Sequence, residues 1–142
     1  MESLIVTRPV RVLVRVTEGF RHKMRRLALR EIQRVDAELE QLDLQSRRWE
    51  QDGSGGDAAR VEELREGLGR ERAAREQRKA ELRGRIRKLG DLQDGQLVQQ
   101  GTVDAEAVVA VGMSWDRLMN AAIVIEDDEV VQISSGRIDE DG

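Results

Sequence analysis

The sequence predicts an α+β fold: a long antiparallel helical hairpin, a coiled coil, inserted in a small antiparallel β-sheet or barrel formed by N- and C-terminal strands. Three observations point there. Near the start, Val10, Val12, Val14 and Val16 alternate with Arg11, Leu13 and Arg15, the period of two that marks a strand with one buried face. A heptad seam follows, then a glycine-rich turn and a second charged helical stretch. Beyond residue 90 the chain becomes rich in β-branched residues again. Residues 1–16 and 91–138 are therefore expected to form one discontinuous β domain. Residues 17–90 form the hairpin with its turn at 53–56, and 139–142 form an acidic tail.

Composition supports a narrow apolar seam over a rounded core. Of 142 residues, 37% are charged and 2% aromatic, with Phe20, Trp49 and Trp115 the only large rings. Cysteine is absent, which excludes disulfides, thiolate metal sites and cysteine catalysis. No apolar run approaches the ~20 residues of a membrane helix. The first residues lack a basic region followed by an apolar stretch, so the expectation is a soluble, unexported, cytoplasmic protein that does not engage membranes. The net charge of −4 hides strong blocks. Residues 21–34 carry a net +5, 35–69 a net −6, 70–88 a net +6 and 89–142 a net −10.

In chain order, Leu4 to Val16 reads as strand. Pro9, which has no N–H, marks an edge position, a bulge or a break within it. Thr17 suits a helix N-cap, with Glu18 near the positive end of the dipole. Ala28, Ile32, Val35, Leu39, Leu42, Ser46 and Trp49 then recur at alternating spacings of four and three, a heptad seam flanked by charged residues. Gly53-Ser54-Gly55-Gly56 ends this helix, Asp57 caps the next, and Gly90 stops it. The second helix carries a poorer seam. Val61, Leu64 and Leu68 open it and Leu82, Ile86 and Leu89 close it, but Glu71, Arg75 and Arg78 fall between.

Folding the two helices back on each other puts Trp49 near Val61, Leu42 near Leu68, Ala28 near Leu82 and Met24 near Ile86. Ile32 and Val35 then face Arg78 and Arg75. Two readings stand open. Arginine stems cover these apolar residues while their heads reach Glu31, Asp36 or water. Or Ile32, Val35, Leu39 and Leu42 pack on another copy of the hairpin.

After Gly90, Leu97 to Val103 reads as a short strand with a bulge near Gly101, and Glu106 to Val111 as another. Ser114 caps a short helix, Trp115 to Ala121, with Trp115 in a core role. Ile123-Val124-Ile125 and Val130-Val131-Gln132-Ile133 flank an acidic turn and read as a β-hairpin.

Signatures of chemistry are missing. His22, the one histidine, lies among Arg21, Lys23, Arg25 and Arg26 with no nucleophile pattern nearby and reads as a solvated residue. Glu126 to Glu129 lacks the spacing and glycine of a calcium loop. The glycine-rich turn lacks the Gly-Lys-Ser/Thr of a phosphate-binding loop. No catalytic, metal or cofactor site is expected. The remaining binding feature is a basic patch of Arg21, Arg25, Arg26, Arg75, Arg78 and Arg85, which the hairpin brings together. It has no interleaved aromatics for base stacking, and the acidic C-terminal part can compensate it.

This layout resembles the YlqD family of small bacterial coiled-coil proteins. The resemblance rests on the strand Val10 to Val16, the helix start Thr17-Glu18, the charged hairpin, the Val111-Gly112-Met113-Ser114-Trp115 stretch and the terminal hairpin. It spans nearly the whole chain and implies no enzyme activity and no defined site. Genes of that family in some bacteria lie near ribosome-maturation genes, which adds slight weight to RNA. The expected function is a non-enzymatic, self-associating adaptor or scaffold, a dimer or higher oligomer, contacting partner proteins through the hairpin. The competing expectation is an RNA- or ribosome-associated factor that uses the basic patch.

Overall fold

A computed structural model of the chain describes residues 2–52 and 58–135. The expected glycine turn, the capping role of Asp57 and the acidic tail lie outside these residues. The elements in order are β1 (Ser3–Arg15), α1 (Glu18–Asp52), α2 (Ala58–Leu89), β2 (Leu97–Ala110), α3 (Trp115–Met119), β3 (Ala121–Glu126) and β4 (Glu129–Ser135). Two compact units result. One comprises Met1–His22 with Leu92–Gly142, the other Lys23–Asp91.

In the first unit the strands form one four-stranded sheet in the order β2-β1-β3-β4. β1 pairs antiparallel with β2 along its whole length, from Ser3 opposite Ala110 to Arg15 opposite Leu97. β3 pairs antiparallel with β4, as expected of the terminal hairpin. The expected antiparallel sheet or barrel needs correction in two respects. The β1–β3 pair is parallel, Val10 to Val14 against Ala121 to Ile125, so the sheet is mixed. It is also open, with β2 and β4 as its two edges.

The chain path explains the parallel pair. β2 ends level with the start of β1, and the chain then reverses at Gly112, whose φ is 100°. After α3 it travels back in the direction of β1. A strand laid beside β1 from that point can only run parallel to it.

β2 also differs from the two short strands expected. It is continuous across Asp104 to Glu106, because β1 offers Pro9, Arg8 and Thr7 as partners there. Its register shifts once, with Val12 opposite Gly101 and Leu13 opposite Gln99, so Gln100 is the extra residue of a bulge beside the glycine. Pro9 neither breaks nor bulges its strand. The β3 ladder begins one residue later, at Val10, so Pro9 has a strand neighbour on one side only, where a missing donor costs least.

Residues paired across strands share a face. Leu13, Ala122 and Val124 lie on one face and, with Leu97, form the buried cluster of the sheet. The opposite face carries Val10, Val14 and Ala121, which are also buried. Leu118 of α3 is buried, and the Arg8 guanidinium donates to its carbonyl at 3.0 Å. Ser114 caps α3, accepting from the Arg117 N–H at 3.3 Å. α3 ends at Met119, short of the expected Ala121, because Ala121 is already the first residue of β3. The β3–β4 turn has Asp127 and Asp128 at φ 48° and 70°, the two left-handed residues of a tight hairpin turn.

The first turn of α1 belongs with the sheet. Thr17 Oγ1 accepts from the Phe20 N–H at 3.1 Å, the expected N-cap, and donates to Asp127 Oδ1 at 2.6 Å. Arg21 pairs with Asp94 at 2.6 Å and donates to the Leu92 carbonyl. These ties place the division between units at His22, five residues into α1.

In the second unit α1 and α2 pack antiparallel. Asp43 pairs with Arg72, Glu38 with Arg75, Asp36 with Lys79 and Glu31 with Arg78, so the earlier part of α1 meets the later part of α2. The α1 seam is as expected. Ile32, Val35, Leu39 and Leu42 are buried, and Ala28, Ser46 and Trp49 are half-buried. Leu82, expected opposite Ala28, joins Ile32, Val35 and Leu39 in one cluster with Ile86 against it. α2 ends as Gly90 and Asp91 donate to the carbonyls of Arg87 and Lys88.

Candidate interaction surfaces

The helix pair shows how a poor seam is closed. Arg75 and Arg78 occupy the α2 positions where apolar residues were missing. Their side chains are 31% and 37% exposed, and Ile32 and Val35 are buried within the same chain. Each head meets a carboxylate of α1. Arg75 Nε lies 3.1 Å from Glu38, and Arg78 lies 3.2 Å from Glu31. Lys79 reaches Asp36 at 2.6 Å. The charged ends thus stay partly exposed and paired beside a buried seam, the arrangement expected where arginine stems cover apolar residues. Ile32, Val35, Leu39 and Leu42 are buried within the one chain.

The six arginines of the expected basic patch fall into different settings. Arg21 belongs to the sheet unit, is 14% exposed at its side chain, and is held by Asp94 and Glu18. The other five belong to the helix unit. Arg75 and Arg78 are tied to α1 as described, and Arg25, Arg26 and Arg85 are exposed. Half of the patch is therefore engaged within the chain. His22 is exposed. Among the described residues no group of three or more His, Cys, Asp or Glu is placed to hold a metal ion. No helix among them is long and apolar enough to cross a membrane. Asp127 of the acidic turn is already engaged by Thr17.

Sequence reasoning missed the apolar surface of the sheet unit. Leu4, Ile5 and Val108 are exposed where β1 and β2 run on as a two-stranded ribbon beyond β3. Val111, Met113 and Trp115 are exposed around the reversal into α3. Trp115, expected in the core, is 64% exposed, because Leu118 fills the buried position of that short helix. Val130, Val131 and Ile133 are exposed on β4. An open cleft beside α3 is lined by Arg8, Val108, Met113, Arg117 and Leu118.

The fold and these surfaces define a class: a small α+β protein with a charged helical hairpin inserted between two strands of an open mixed sheet. The family model described as YlqD protein matches residues 4–134, and the chain belongs to the YlqD family. No curated protein matches the sequence. Among solved structures, a crystal structure of a protein of unknown function from Synechococcus sp. WH 8102 is similar at 23% identity. Its TM-score is 0.79, with 94% of this chain and 97% of that chain covered. The likeness is one of fold.

Proposed function

We propose that this is a non-enzymatic, cytoplasmic, self-associating protein that serves as an adaptor, its helix pair acting as a coiled-coil hairpin that offers a charged outer surface to partner proteins. The observation that carries the reading is the unfinished apolar surface of the sheet unit. Large apolar residues on the ribbon, around the reversal and on β4 stay in water, and they are more numerous than the exposed Leu27, Leu29, Leu44 and Leu64 of the helices. Such patches favour protein contacts. The buried helix seam supports a reading in which copies meet through the sheet and other partners meet the hairpin. Light scattering on the full chain at tens of micromolar tests this: a dimer or larger species is expected, and a monomer contradicts it.

The competing reading, an RNA- or ribosome-associated factor, rests on exposed Arg25, Arg26 and Arg85. It has less to draw on, because Arg21, Arg75 and Arg78 already meet carboxylates. RNA retention that falls steeply as salt rises is its distinguishing result.

A further inference from the structure

We propose that β4 is the edge through which two copies associate, pairing antiparallel with β4 of a second copy so that two four-stranded sheets continue as one. The proposal rests on the self-association reading above and names the surface and the partner.

The two open edges of the sheet are unlike. Each edge carries one bulge, at Gln100 on β2 and at Val131 on β4, but β2 also carries acidic Asp104 and Glu106 in mid-strand, charges that keep an edge from pairing. β4 carries one charge, Glu129, at its first position. It exposes Val130, Val131 and Ile133, the last of them 77% exposed. Its one irregularity is Val131, which falls between the pairs Ile125–Val130 and Val124–Gln132 and has no partner on β3.

Charge argues for a second copy as the occupant. A two-fold contact brings a surface against itself, so a charged patch meets its own sign. Residues 130–135 of β4 carry no charge, so this row can meet its own copy without repulsion. An antiparallel pairing centred on Gln132 sets Val131 opposite Ile133 of the second copy, and Ile133 opposite its Val131. Glu129 falls opposite Ser135. No like charges meet. An apolar row already crosses the sheet from Val12 through Ile123 to Ile133, where it ends in water. The pairing carries that row into the second copy. Contacts made by one short strand fall below the roughly 1,200 Å² of standard interfaces, so association in the micromolar range is expected.

The absence of cysteine makes the test direct. Gln132→Cys places one thiol on the two-fold axis. A short bis-maleimide should link most of this variant into covalent dimers at tens of micromolar, and should leave Val103→Cys and Val108→Cys, on β2, unlinked. Ile133→Lys, at an exposed position, should weaken association tenfold or more. A dimeric wild type with Gln132→Cys unlinked and Ile133→Lys still dimeric overturns the β4 edge and leaves self-association standing. Linking through Val108→Cys instead has the same meaning. A monomeric wild type overturns both.

Discussion

Removing the stems of Arg75 and Arg78 should destabilise the helix pair by more than the loss of their charges. Each arginine makes an ion pair that is partly exposed, with side-chain exposures of 31% and 44% for Arg75–Glu38 and 37% and 31% for Arg78–Glu31. Pairs this wet contribute about 0–1 kcal/mol. Truncation to alanine keeps Cβ and removes two methylenes at ~0.8 kcal/mol each when fully buried, and about half of that is appropriate here. Truncation to alanine should therefore cost about 1–2 kcal/mol per site, offset slightly by the better helix propensity of alanine. Methionine keeps an apolar stem and loses the charge, so Arg75→Met and Arg78→Met should cost less than about 1 kcal/mol. The two sites share one cluster with Ile32 and Val35, so the double variants need not be additive. Urea unfolding followed by helical circular dichroism, at one fixed protein concentration, measures the difference. If alanine and methionine variants unfold at the same midpoint, the stems do not shield Ile32 and Val35.

Three further outcomes follow from local geometry. Gly69→Ala should stabilise α2 by about 1 kcal/mol, since a Cβ there meets nothing within 4 Å, and thermal melting reads the gain. Thr17→Ala removes the N-cap of α1 and the bond to Asp127, and should lower stability by about 1–2 kcal/mol in the same assay. Asp128→Gly places glycine at a φ of 70° and should raise the melting temperature, by an amount equivalent to about 0.5–1 kcal/mol, without altering the sheet's dichroism.

What the sequence made legible was local. The heptad seam from Ala28 to Trp49, the caps Thr17 and Ser114 and the turn at Asp127-Asp128 each depend on residues within a few positions of one another. Strand order depends on distant partners, and nothing in Ile123-Val124-Ile125 states that it will lie parallel to Val10–Val14. The same limit hid the continuity of β2 across Asp104–Glu106, which looks like a break until Thr7 to Pro9 supply its ladder partners. Trp115 looked like core because large rings usually are, but Leu118 takes the buried position of α3. The arginines at 75 and 78 were legible as a mismatch. Of the carboxylates their heads meet, Glu31 was legible beforehand and Glu38 was not.

The division of labour between a closed helix seam and an open sheet edge is most directly tested by amide hydrogen exchange of the full chain at two concentrations, one below and one well above the association midpoint. Protection of residues 129–135 should rise with concentration, while protection of residues 28–49 stays constant. Concentration-dependent protection confined to the helix seam, with β4 unchanged, contradicts it.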